Sequence, residues 1–240
     1  MTLISRSADH RYTYEGVTYP GVTSILKVID KSDALMSWAS RMTAEAAISA
    51  LGTLPQLIES VGPEGAIRAL TARSAWKRDE AAALGTEIHR IADLLHRKEA
   101  LPELSDLTRS RVTAYAEWWD RSGWRIRATE ALLVNTTVGY GGTLDLLCYD
   151  RDGRTVLADI KTGSNVYREV ILQLAAYGMS EWLETDGGFY EMPAVDRYAV
   201  LHVTADGVRE VEVNVGEEER KAFRACIRLS AWRDQVKGRL

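Results

Sequence analysis

The sequence predicts an α/β protein: a mixed α+β sheet flanked by helices, with a mostly helical N-terminal portion. Three observations predict it. Helical patterns dominate up to about residue 127 and strand signals take over from 128. The later elements run three strands, helix, two strands, helix, an order that implies a mixed sheet covered by helices. One of the strands, Arg154 to Lys161, reads Val-Leu-Ala-Ile apart from an aspartate and a lysine, the pattern of a strand buried on both sides. No repeat or Pro/Gly/Ser-rich linker divides the chain, so a single domain over 1–240 is expected, with 1–127 helical and 128–240 carrying the sheet.

The elements follow in order. Arg11 to Tyr14 and Val17 to Tyr19 alternate around the Glu15-Gly16 turn and predict a hairpin. Helical spacing predicts helices over Asp33 to Leu51, Glu64 to Ala72, Lys77 to Arg97 and Leu104 to Arg121, with Pro55, Pro63 and Pro102 as breaks. Strands are expected at Thr129 to Thr136, Thr143 to Asp150 and Arg154 to Lys161. A helix from about Val166 to Leu183 follows, with Ser164 or Asn165 placed to cap it. Strands Arg197 to Val203 and Val208 to Val215 flank the Ala205-Asp206-Gly207 turn, and a basic helix closes the chain.

Composition bounds the function. With 46% apolar and 27% charged residues and five prolines, a disordered tail and a collagen-like chain are excluded. Cys148 and Cys226 lie far apart in apolar surroundings and fit no zinc-ligand spacing, which points to a reducing cytoplasm. No stretch approaches the ~18–20 apolar residues of a membrane span. The start, with Arg6, Asp9, His10 and Arg11, lacks a signal-peptide core, so a soluble cytoplasmic protein without a membrane partner is expected. Thirty Lys and Arg against thirty-four Asp and Glu is not the balance of a general nucleic-acid binder. Locally, Arg68, Arg73, Lys77 and Arg78 cluster before a helix and Arg224, Arg228, Arg233, Lys237 and Arg239 crowd the last one; each cluster alone reads as a solvated helix face.

The informative segments are Gly142-Thr143-Leu144-Asp145 and Leu157-Ala158-Asp159-Ile160-Lys161. Alternate residues of a strand share a face, so Asp159 and Lys161 point one way and Ala158 and Ile160 the other. Charges inside so apolar a strand are costly unless paired, hydrated or bound to a cation. Asp145 poses the same problem among Leu144, Leu146 and Leu147. A three-residue loop at Arg151-Asp152-Gly153 sets Asp145 opposite Asp159; a two-residue loop turns it towards the side of Ile160. The sequence leaves both registers open. In the first, the carboxylates lie ~4.5–5.5 Å apart at Cβ and repel, and Mg²⁺ or Mn²⁺ would relieve the repulsion. Lys161 beside such an ion would orient or deprotonate a water and offset charge on a phosphate. A purely structural Asp159–Lys161 pair is the alternative.

Gln173 and Tyr177 stack on one face of the next helix, either at this site or as an exposed glutamine and a core-capping tyrosine. His89 lies beside the apolar stripe of Leu84, Ile88, Ile91 and Leu95, and a lone helical histidine is more often surface or core than ligand. Gly85 would let a backbone approach closely. His96, on the same face as His89, reads as structural or DNA-proximal. Trp38, Trp76, Trp118, Trp119 and Trp124 would either stack on single-stranded bases or fill a helix–helix core.

In chain order, Leu84-Gly85-Thr86-Glu87-Ile88-His89, Gly142-Thr143-Leu144-Asp145, Asp159-Ile160-Lys161 and Gln173-Leu174-Ala175-Ala176-Tyr177 resemble the motifs of the PD-(D/E)XK nuclease superfamily. The branch resembled is that of the RecB-like exonucleases, phage-encoded members included. The resemblance covers about residues 84 to 180, and Tyr19-Pro20-Gly21-Val22-Thr23-Ser24-Ile25-Leu26 is similar to the opening of phage members. It implies a restriction-endonuclease-like core with His89, Asp145, Asp159 and Ile160 at a Mg²⁺ or Mn²⁺ site. It further implies Lys161 as the catalytic lysine, and Gln173 and Tyr177 as residues positioning DNA or that lysine. Some members recruit a further carboxylate, for which Glu130 is the candidate, although a strand-edge glutamate is usually solvated. Iron–sulfur relatives use four cysteines; this chain has two, so no cluster is expected.

The expected function is a metal-dependent DNA nuclease, an exonuclease of recombination, repair or phage DNA metabolism. Its expected partners are DNA and a single-strand annealing or recombination protein. The alternatives are a non-catalytic DNA-binding or recombination-complex subunit on the same fold and a structure-specific endonuclease. An enzyme of small phosphorylated substrates lacks a phosphate-cradling Gly-rich loop here.

Overall fold

The computed structural model describes residues 3–30 and 32–236; Lys237 and Arg239 of the last basic cluster lie outside them. The chain forms two compact units, Asp30–Thr86 and the remainder, Met1–Ile29 with Glu87–Leu240. Residue 128, where the periodicity changes, falls inside a strand of the larger unit, so the change of pattern marks no boundary between units.

The larger unit opens with an antiparallel three-stranded sheet, β1 (Ile4–Arg6), β2 (Arg11–Tyr14) and β3 (Val17–Pro20). The hairpin β2–β3 has the expected bounds to within a residue, and β1 is an addition to it. A short helix α1 (Val22–Ile25) and a 3₁₀ turn (Leu26–Val28) follow. The smaller unit holds α2 (Ser32–Ser49) and most of α3 (Leu54–Arg97). The two helices expected at 64–72 and 77–97 are one. Nothing between them breaks a helix, and Pro63 coincides with a kink at Gly62, whose φ of 72° lies outside helical space. Pro55 is no break either; it sits in the first turn, where its missing N–H is not needed. Helix α4 (Asp106–Ser122) begins at Ser105, whose hydroxyl accepts from Thr108 N, and stops at left-handed Gly123.

Seven strands build the main sheet: β4 (Arg125–Asn135), β5 (Tyr140–Tyr149), β6 (Thr155–Lys161), β7 (Trp182–Thr185), β8 (Gly188–Glu191), β9 (Arg197–Thr204) and β10 (Gly207–Val213). Their spatial order is β10-β9-β6-β5-β4-β7-β8, with β6–β9 parallel and every other pair antiparallel, so the sheet is mixed as expected. Helix α5 (Glu169–Gly178) is shorter than the expected Val166 to Leu183. Its cap position is Arg168 without a side-chain bond, so neither Ser164 nor Asn165 caps it. The hairpin β7–β8 takes the residues beyond; its Asp186-Gly187 turn between Trp/Leu and Phe/Tyr carried the signal. Helix α6 (Glu217–Val236) closes the described chain, with Arg224 exposed and Arg233 half-buried on it, each facing a carboxylate.

Helices cover both faces of the sheet. Val22, Ile25, Leu174, Tyr177 and Phe223 from α1, α5 and α6 pack with Leu133, Leu157 and Val200. Ala92, Tyr115 and Trp124, in and beside α3 and α4, pack with Leu146, Ala158, Ile160 and Leu201. That double cover explains the run of buried residues along β6. Two glycines permit close layers: a Cβ on Gly141 would lie 2.4 Å from Tyr12 Cβ, and one on Gly142 2.6 Å from Tyr177 Cε1.

His96 donates to or accepts from the Tyr115 hydroxyl at 2.7 Å and stands edge-on to Trp119, which makes it structural. Burial pulls its pKa down to about 4 against the pull of Asp93. The folded state therefore binds the proton more weakly than the unfolded state, whose value is 6.5. Stability from this group is complete above pH 6.5 and is lost as pH falls towards 4, by on the order of 3 kcal/mol. Urea midpoints of the parent and His96→Phe across that range check this, and an identical slope in both would refute it. Gly141→Ala should cost about 1–3 kcal/mol in the same measurement, because Tyr12 must be displaced.

Candidate metal centre and lysine network

The β5–β6 loop sets the geometry. Asp150 N–H donates to Arg154 O and Gly153 N–H to Asp150 O, with Gly153 left-handed at φ 79°. This is the three-residue loop. Its carboxylate, Asp150, accepts from the backbone of Asp152 and Arg154 and from the side chains of Arg154 and Arg197. Burial would raise the Asp150 pKa, and these donors hold it below the ordinary carboxylate value. Regular pairing runs from Tyr149↔Thr155 to Leu146↔Ala158, and the next step of that register is Asp145 against Asp159.

There the ladder opens. In place of a further strand bond, Ile160 N–H donates to Asp145 Oδ2 at 2.7 Å. Strand β6 goes on pairing with β9 through Lys161. The end of β5 and β6 thus forms a cleft with a carboxylate at its throat.

On one side of the cleft lies a lysine network. Lys161 Nζ is 2.6 Å from Asp159 Oδ2, and Gln173 Nε2 donates to Asp159 Oδ1 at 2.7 Å and to the Tyr177 hydroxyl at 3.2 Å. Lys161 also donates to Gln173 Oε1 at 3.5 Å. All four residues named from the sequence meet. The helical spacing of Gln173 and Tyr177 and the strand spacing of Asp159 and Lys161 account for it.

On the other side stands a metal-ligand group. His89 Nδ1 lies 3.4 Å from Asp145 Oδ1 and 3.7 Å from Glu130 Oε1, and one ligand atom from each residue lies within 4.8 Å of the others. His89 is carried on residues 87–97 of α3, which Thr108 fixes by donating to Glu87 and Thr129 by donating to Asp93. Asp159, expected as a metal ligand, is not one of this group; its Oδ2 faces the Lys161 ammonium and its Oδ1 accepts from Gln173. Ile160 buries its side chain, leaving only its carbonyl as a ligand atom.

Glu130 is the residue the strand pattern undervalues. It opposes Asp145, between the pairs Thr129↔Leu146 and Ala131↔Leu144, with φ at 45°. Ala128 and Ala131, three apart, enter the same core cluster, as do Leu144 and Leu147. Alternation therefore shifts by one in both strands at these acids, which turns them off the two packed faces and into the cleft.

The electrostatics agree with the geometry. Burial would lower His89, yet Asp145 and Glu130 raise it to about 11. Burial would raise Asp145, and His89, Lys161 and the Ile160 N–H bring it below the usual range. Asp159 goes the other way: burial and then Asp145 push it up to about 6, against Lys161 and His89. Lys161 is kept charged by Asp159 and Asp145 despite burial. The cluster favours positive charge at its centre. An imidazole and two carboxylates fit a divalent ion such as Mn²⁺ or Mg²⁺, although the set does not select between metals.

No family model and no curated protein matches this sequence. Among solved structures, one titled "Crystal structure of SSO0001" aligns with 80% of this chain and 84% of its own, at 14% identity and a TM-score of 0.33.

The remaining sequence candidates lie elsewhere. Trp118, Trp119 and Trp124 form an aromatic cluster against the sheet, whereas Trp76 is exposed in the smaller unit with Arg73 over its ring. Gly85 belongs to the smaller unit. Among the described residues no helix is long and apolar enough to cross a membrane.

Calorimetric titration with Mn²⁺ should show uptake by the parent protein and at least about tenfold weaker uptake by His89→Ala, Glu130→Gln and Asp145→Asn. A parent that takes up no Mn²⁺ would remove the centre.

Proposed function

We propose that this chain is a metal-dependent DNA nuclease of the RecB-like branch of the PD-(D/E)XK superfamily, an exonuclease of recombination, repair or phage DNA metabolism working in the cytoplasm. A single-strand annealing or recombination protein is its proposed partner. The observation that carries the reading is the meeting, at one open strand end, of the Asp159–Lys161–Gln173–Tyr177 network with the His89–Glu130–Asp145 group.

Mg²⁺ or Mn²⁺ held by His89, Glu130 and Asp145 would supply Lewis acidity towards a phosphate oxygen. The chain's own residues supply the rest. Asp159 keeps the Lys161 ammonium charged and fixes its position, and Gln173 braces Asp159 from α5. So held, Lys161 offers N–H donors to an attacking water or to charge gathering on the phosphate. Tyr177, buried beneath Gln173, stops that amide from turning away. The acidic balance of the whole chain is compatible with DNA, because a metal ion and local cations can carry phosphate binding while the remainder disfavours nonspecific DNA. A DNA-binding subunit without chemistry has no use for acids beside a phosphate.

Digestion of end-labelled linear and closed circular DNA with each metal tests the proposal. Linear DNA should be degraded and circular DNA spared. Lys161→Ala and Asp159→Asn should slow cleavage by about 10²–10⁴-fold while DNA binding changes little. Binding without cleavage by the parent in either metal would favour the non-catalytic subunit, and cutting of circles the endonuclease.

A further inference from the structure

Beside the cleft, the far edge of β4 pairs, among the described residues, with β7 at Leu132, Leu133 and Val134 and is open along the rest of its length. Along that edge runs a groove of about 950 Å³ that begins at Glu130, one of the three metal-group residues, and reaches His96 and Ile126. A second cavity, of about 510 Å³, shares His96 and Ile126 with the groove and is walled by Tyr115, Trp119 and Trp124. The two therefore adjoin at His96 and Ile126 within the larger unit.

We infer that together they form a path that binds single-stranded DNA leading to or from the metal group, with a base stacked in the cavity at Trp119. The inference rests on the nuclease reading. Several observations support it. The cavity falls within the size of small-ligand pockets, about 300–1,000 Å³, and aromatic walls suit the flat face of any base. Trp119 is half-buried among the rings of His96, Tyr115, Trp118 and Trp124, whereas Tyr115 and Trp124 are buried, so of the aromatic wall it keeps the contact with solvent. The exposed cations Lys98, Arg125 and Arg127 line the path and make no ion pair among the described residues.

The acids on the path are accounted for. Asp186 is held by Arg97, and Glu184 accepts the N–H groups of Leu3 and Ile4. Glu130 belongs to the metal group, which leaves Asp120 at the cavity rim. Ile126 and Glu130 are four strand residues apart, at most about 13 Å at ~3.3 Å per residue because β4 bulges between Ile126 and Ala128. That is about four nucleotides at the ~3.4 Å spacing of a stacked strand, and fewer if it is extended. A duplex end would have to separate before one strand entered.

The test is binding of fluorescein-labelled oligodeoxythymidine of twelve nucleotides, with EDTA present to prevent cleavage, read by anisotropy and by quenching of tryptophan emission. The parent should bind it with quenching and should prefer it to a blunt duplex of equal length. Trp119→Ala should weaken binding by about 5- to 140-fold, the equivalent of one lost base stack. Ala116→Phe fills the cavity without removing a contact, and should weaken it similarly even if the tryptophan variant fails to fold. Unchanged affinity in a folded Ala116→Phe, preference for the duplex, or no binding would overturn the inference while leaving any DNA cleavage by the parent intact. Cavity-dependent binding by a parent that cleaves nothing would instead retain the strand path and remove the nuclease reading.

Discussion

The register of the β5–β6 hairpin is the constraint on which the site depends. Asp150 converts the turn Arg151-Asp152-Gly153 into a fixed loop, because its carboxylate satisfies backbone donors on the turn and is pinned from β9 by Arg197. From that point the count along two strands is forced. A slip of one residue would send Asp145 to the wrong side of Asp159 and expose leucines that now pack in the core.

Once the register is set, charge balance dictates the surroundings. Two unit charges about 4 Å apart interact by about 4 kcal/mol at an effective dielectric of 20, so neighbouring acids in a buried cleft need cations or protons. The structure distributes the compensation unequally. Asp145 receives His89 and the Ile160 N–H and stays strongly acidic, while Asp159 lies deeper and is raised to about 6 even with Lys161 against it. The same Lys161 that neutralises Asp159 is thereby kept charged and held in place, so stability and proposed chemistry draw on one contact.

Much of this was legible in the sequence because it obeys short periods. The Asp159–Lys161 pair follows from the two-residue period of a strand and Gln173 and Tyr177 from the turn of a helix, whereas the hairpin register stayed open between two loop lengths and is decided by the backbone bonds of Asp150 and Gly153. What escaped depends on departures from period. The two expected helices fuse into α3 because residues 73–76 between them carry no breaker, Pro63 only kinks that helix further upstream, and the chain's division into units lies in packing that no local pattern reports. The hairpin β7–β8 was hidden because the expected helix extends to Leu183, into β7, which separates the Asp186-Gly187 turn signal from its first strand. Its loss mattered, since β8 and the β7–β8 turn form one wall of the groove along β4.

Glu130 shows most clearly why a strand pattern underrates such a residue. In regular alternation it would lie on a packed face or at a wet edge, and neither place suggests a ligand. Its left-handed backbone is disfavoured for a residue with a side chain, so the surrounding structure must hold it there. The partner strand changes face at the same level, at Asp145, and the two acids emerge together towards the helix that carries His89. A paired change of face in adjacent strands is a means of placing charge at the boundary between two apolar layers without burying it in either. It also fixes where anything bound must enter, because Glu130 belongs at once to the metal group and to the groove along the open edge of β4.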